Sequence, residues 1–116
     1  MSSSVALRYS TGASTNLTRI GTGGQTANLK GLVVTNTAAY AIFVKLYWDK
    51  GLGIPTVGTT IPALVITCPT VATQMIDFSD GITGNGQLWM WVTKGAPDTD
   101  TAVTVAGDGL ITVLVE

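Results

Sequence analysis

The side chains able to do chemistry are few. Asp98, Asp100 and, a strand and turn later, Asp108 form the densest acidic group, and paired carboxylates can share a hard cation such as calcium through their oxygens. Asp-rich loops also arise as plain turns, because the side chain accepts hydrogen bonds from nearby backbone N–H groups. On that reading the three aspartates are weak metal candidates, and no metal or cofactor is expected. As a general acid/base pair they would need a cleft and a perturbed pKa. The chain contains no histidine, which removes Ser-His-Asp and Cys-His nucleophilic arrangements and most zinc sites. Gly21-Thr22-Gly23-Gly24 lacks the lysine and helix onset of a phosphate loop and reads as a turn. Cys68 is the one cysteine, so an intramolecular disulfide is impossible and a packed, inert thiol is expected. No catalytic residue is assigned, and an enzyme is not expected. Trp89 and Trp91 remain, either as a platform for stacking a sugar or as aromatics buried at an interface; the second reading is preferred.

These residues must be held by one domain. The length of 116 residues suits a single hydrophobic core, and a hydrophobic fraction of 46% excludes a disordered chain. Charged residues make up 11%, against about 25% in ordinary soluble domains, with Thr, Ser, Asn and Gly supplying the polarity instead. A surface so poor in charge is weakly defended against association, so a partner surface is expected. The net charge of -1 leaves no basic patch, and nucleic-acid binding is not expected. Met1-Ser2-Ser3-Ser4 lacks the basic start and apolar run of a secretory signal, and no apolar run reaches the roughly 20 residues needed to span a bilayer. A soluble chain made in the cytosol, with no membrane partner, is therefore expected.

Hydrophobic period two dominates. In Tyr40 to Trp48 the residues Tyr40, Ile42, Val44, Leu46 and Trp48 share one face, and Ala41, Phe43, Lys45 and Tyr47 the other. In Gln87 to Thr93, Leu88, Met90 and Val92 oppose Trp89 and Trp91. Further strands are expected over Leu29 to Asn36, Ala63 to Cys68, Gln74 to Phe78, Thr101 to Val105 and Leu110 to Val115. Turn signals stand at Gly51 to Gly58, Ser79-Asp80-Gly81, Gly84-Asn85-Gly86, the polar loop Gly95 to Asp100, and Gly107-Asp108-Gly109. Residues 1–27, rich in Ser, Thr and Gly, read as an N-terminal arm with one or two weak strands, or as an edge hairpin turned at Gly23-Gly24. Residues 28–116 form the main domain. The expected fold is an all-β, antiparallel two-sheet sandwich, jelly-roll-like, with seven to eight short strands. Aromatics on both faces of two strands single out Phe43, Tyr47, Trp89 and Trp91 as expected subunit-interface anchors. A one-residue slip would instead send the tryptophans into the core.

Val44-Lys45-Leu46-Tyr47-Trp48, Pro55-Thr56-Val57-Gly58-Thr59, Pro62, the strand ending at Cys68-Pro69, and Gly95-Ala96-Pro97-Asp98-Thr99-Asp100-Thr101 with Ala106-Gly107-Asp108 together resemble small β-sandwich virion proteins of tailed bacteriophages and prophages. The resemblance spans about residues 29 to 115. It implies a capsid decoration, or cement, protein on the virion surface, with the major capsid protein and further copies of itself, as a homotrimer, for partners. A tail or head-fibre module that binds a receptor or glycan through Trp89 and Trp91 is the competing expectation.

Overall fold

The computed structural model describes residues 7–12, 17–20, 28–50, 53–95 and 109–115, and among these every regular element is a β-strand. The strands are β1 (Leu7–Gly12), β2 (Thr18–Ile20), β3 (Asn28–Asn36), β4 (Ile42–Trp48), β5 (Leu64–Cys68), β6 (Ala72–Thr83), β7 (Leu88–Thr93) and β8 (Gly109–Val115). They build two four-stranded sheets, in the orders β1-β8-β3-β6 and β2-β7-β4-β5. Every pairing is antiparallel. Among the described strands, β4 and β5 are the only consecutive pair in one sheet; the members of every other consecutive pair lie in different sheets. Two interlocked Greek keys of this kind define the jelly roll.

Residues with apolar side chains at alternate positions explain why two sheets stack. Leu29, Leu32 and Val34 from β3 and Ile111, Val113 and Val115 from β8 face Ile42, Val44, Leu46 and Trp48 from β4 and Leu88, Met90 and Val92 from β7. Ile20 and Cys68 complete this buried cluster. Full burial of each large aliphatic side chain contributes about 1.5 to 3 kcal/mol. The β4 and β7 faces thus match the period-two reading, and the tryptophans of β7 are not slipped into the core.

Two short strands fall within the expected arm. β1 pairs with β8 and β2 with β7, so each lies at the edge of a different sheet. Gly23 and Gly24, where an edge hairpin is the other expectation, lie outside the described residues; the strands β2 and β3 on either side of them belong to different sheets. The turn expected at Ser79-Asp80-Gly81 is corrected. β6 runs through it for 12 residues, and Gly81 adopts φ 77° within the strand. Leu29 pairs with Ile82 but Gly31 with Asp77, so residues 78–81 of β6 stand against Lys30 alone in a bulge. Turn-forming residues here bend a strand instead of ending it. The strand expected over Thr101 to Val105 and the loop Gly95 to Asp100 lie wholly or largely outside the described residues.

Side-chain hydrogen bonds lock one end of the sandwich. Buried Asn36 closes β3: its Nδ2 donates to the carbonyls of Tyr40 at 2.9 Å, Cys68 at 3.1 Å and Pro69 at 2.9 Å, and its Oδ1 accepts from the Ala38 N–H at 2.9 Å. Thr70 Oγ1 donates to the Ala38 carbonyl. The β3–β4 and β5–β6 connections are thereby tied together, and Lys94 Nζ sits 4.4 Å above the Tyr40 ring to join the end of β7 to them.

Candidate functional site

Three surfaces position the residues that could act. The first is the outward face of the β2-β7-β4-β5 sheet. Register sets Tyr47 opposite Trp89, Lys45 opposite Trp91 and Phe43 opposite Thr93, with Val65 beside Lys45 on β5 and Arg19 beside Trp89 on β2. Cross-strand neighbours so placed lie close enough for their side chains to pack together. Trp91 and Lys45 are each 0% exposed although they point away from the core cluster. Phe43, Tyr47 and Trp89 are half-buried. Of the four expected interface aromatics, these three keep surface to offer a partner, whereas Trp91 is enclosed by its own chain.

Polar contacts separate the two tryptophans further. Trp89 Nε1 donates to Asp49 Oδ2 at 3.1 Å, and the Gln87 N–H donates to Asp49 Oδ1 at 3.1 Å. The indole edge of Trp89 is therefore engaged within the chain. Trp91 Nε1 is buried and has no hydrogen-bond partner among the described residues, which is costly for a desolvated donor. A sugar-stacking platform needs accessible ring faces, and Trp91 presents none.

The second surface is the outward face of the β1-β8-β3-β6 sheet. Val33 lies across from Met75 on β6 and Thr112 on β8, Thr35 from Thr73 and Leu110, and Gly31 from Asp77 and Leu114. Met75 is 77% exposed and Leu110 50%. A shallow groove of about 380 Å³ follows Lys30, Val33, Met75, Asp77 and Leu114 beside the bulge of β6 against Lys30. A Cβ on Gly31 would stand 3.1 Å from the Ile76 carbonyl oxygen, so the strands approach closely there.

The third is a cleft of about 490 Å³ at the end of the sandwich opposite Asn36, where β4 leaves the second sheet and the β6–β7 turn passes it. Tyr47, Trp48, Ile61 and Ile82 line it together with Lys50 and Asn85. Gly84 lies flat against the Trp48 ring, and a Cβ there would overlap it.

Cys68 is a core residue whose Sγ donates to the Ala72 carbonyl at 3.4 Å, and burial pushes its thiol pKa up. A raised pKa keeps it protonated and unreactive, in keeping with the packed thiol expected. Asp98, Asp100, Asp108 and the Gly21 to Gly24 turn lie outside the described residues. Among the described residues no three His, Cys, Asp or Glu side chains gather as metal ligands. Sequence reasoning missed Asp49, whose carboxylate looks like an ordinary polar residue after a strand, and it missed the burial of Lys45. Period two assigns a face but says nothing of what covers it.

No family model, curated protein or solved structure matches this chain.

Proposed function

We propose that this chain is a bacteriophage virion structural protein, a decoration protein that binds non-covalently to the outside of the capsid as a homotrimer and bridges neighbouring capsomers. The reading rests on the resemblance in Val44 to Trp48, Pro55 to Thr59 and Gly95 to Thr101, and on one structural observation that supports it. The outward face of the β1-β8-β3-β6 sheet carries Val33, Met75, Leu110 and Leu114 among threonines, an apolar surface of the kind that marks a contact site. An eight-stranded jelly roll supplies the rigid body such a contact requires. Nothing in this role calls for a catalytic group or a metal.

The experiment is electron microscopy of particles that carry the chain, with a gold-labelled C-terminal tag, alongside native mass measurement of the free protein. Gold distributed over the head and a trimeric mass are expected. Gold confined to the tail would overturn the decoration reading in favour of a receptor-binding module, and a monomeric mass would overturn the trimer.

A further inference from the structure

The end cleft has the chemistry of a ligand site, and its walls are fixed by main-chain contacts. The Asp49 N–H donates to the Gln87 carbonyl at 2.9 Å, the Lys50 N–H to the Asn85 carbonyl at 2.7 Å, and the Ala63 N–H to the Leu46 carbonyl at 2.7 Å. The end of β4, the return of the β4–β5 loop and the β6–β7 turn are thus held in one frame. Asp49 adds its two side-chain bonds to β7 immediately behind. Lys50 is held at φ 58°, a left-handed conformation uncommon for a residue with a side chain. Such a frame is preorganised, which lowers the ordering cost of binding.

The lining divides into two kinds. Ile61 and Ile82 supply an apolar wall beside the half-buried Tyr47 ring, and Trp48, a core residue covered by Gly84, closes the floor. The polar side chains of the lining are Tyr47, half-buried, and Lys50 and Asn85, both exposed. Among the described residues, none of these three side chains has a hydrogen-bond partner. The volume of about 490 Å³ falls within the range of small-molecule sites.

Each simple ligand class fails on part of this lining. A wholly apolar guest would cover three polar groups without satisfying them, at a cost for each. A free phosphate would use one lysine and leave the aromatic and aliphatic wall idle. A pyranose ring presents an apolar C–H face to the Tyr47 ring and hydroxyls to the donors and acceptors of the lining. Among the described residues of the lining the one charged side chain is a lysine, so a carboxylate on that ring is favoured.

We infer that the cleft between Tyr47, Trp48, Lys50 and Asn85 binds an acidic hexopyranose, such as a hexuronic acid unit of a polysaccharide. The site is separate from the sheet face proposed for the capsid and does not rest on that reading. A glycan contact made here leaves the β1-β8-β3-β6 face free for the shell.

Amide chemical shifts of the full chain, titrated separately with glucuronate, glucose and acetate, test this. Glucuronate should give saturable shifts confined to residues 47–50, 61–63 and 82–85. Glucose should bind about fivefold more weakly, the scale of one exposed ion pair. Acetate should bind more weakly still. Lys50→Gln should reduce glucuronate to the level of glucose with no change in melting temperature, and Tyr47→Ala should remove both. The proposal fails if glucuronate gives no saturable shift at tens of millimolar, if acetate matches glucuronate (an anion site without sugar recognition), or if the shifts map to another face.

Discussion

Trp91 and Lys45 sit opposite each other on the outer side of a sheet, yet neither has exposed surface. The face of each could be read from alternation in the sequence; the burial could not, because it depends on what packs over the sheet. For Trp91 this changes the expected consequence of truncation. Trp91→Ala should destabilise the isolated chain by about 3 to 5 kcal/mol, the cost of deleting a buried aromatic. Urea unfolding measures it; a loss below about 1 kcal/mol, together with weakened assembly, would return Trp91 to the role of interface anchor. Asn36 was equally illegible, since no sequence pattern links it to carbonyls at positions 68 and 69. Cys68, bracketed by Ile66 and Pro69, was legible as a packed thiol. Its pKa is raised from the usual value near 9.0 by burial. Between the unfolded and folded pKa values the unfolded state has lost the proton that the folded state retains, so stability must fall as pH rises. This contribution is fully present below the unfolded pKa and is lost above it. Unfolding free energies measured from about pH 8 to about pH 10.5, across the thiol range, should decline more steeply for the parent chain than for Cys68→Ala. Parallel slopes would show that the thiol ionises equally in both states.

Strands with strict alternation and both flanks marked by turn residues could be placed to within about two residues, as β3, β4, β5, β7 and β8 illustrate. β6 was harder, because Ser79-Asp80-Gly81 has the composition of a turn while its backbone continues beside β3. Local propensity describes what a segment tolerates, and the neighbouring strand decides whether it turns or bulges. The β5–β6 connection carries a different conflict. Val71 adopts φ 49°, where a β-branched side chain is strained by about 1 to 3 kcal/mol. It is also 76% exposed, so its side chain contributes little packing in return. The bonds of Asn36 to the Pro69 carbonyl and of Thr70 to the Ala38 carbonyl hold the connection in this shape. Val71→Asn, which tolerates the left-handed region, should therefore raise stability by about 1 kcal/mol in a urea titration. A loss of stability would mean that the valine packs more than its exposure suggests.

At the scale of the whole molecule, the two sheets offer unequal outer faces. The β2-β7-β4-β5 sheet encloses Lys45, Trp91 and Thr93, whereas the β1-β8-β3-β6 sheet leaves Met75 and Leu110 in solvent. Strands about 4.8 Å apart, with outward residues about 7 Å apart along each, make the patch across β6, β3 and β8 roughly 200 Å². A standard interface takes about 800 Å² from each partner. One such patch is too small to sustain a solitary pair of molecules, and it suits an assembly in which several modest contacts act together. On the decoration reading, a charge placed within it should release the protein from the particle without unfolding it. The double variant Met75→Lys, Leu110→Lys should change the unfolding free energy by no more than about 0.5 kcal/mol, as exposed substitutions do. Its occupancy on purified particles, measured by quantitative mass spectrometry, should fall by about tenfold or more, the equivalent of about 1.4 kcal/mol across the contact. Ile54→Lys, at an exposed residue of the β4–β5 loop outside this patch, is the matched control. Retained occupancy in the double variant would remove the β1-β8-β3-β6 face from the shell contact, and an equal fall in the control would assign the loss to charge in general. If only the sheet variant detaches, the charge-poor composition has its physical account: hydroxyls and aliphatics lie on that face because a neighbouring protein desolvates it, and a buried, unpaired lysine ammonium there would cost more than the contact returns.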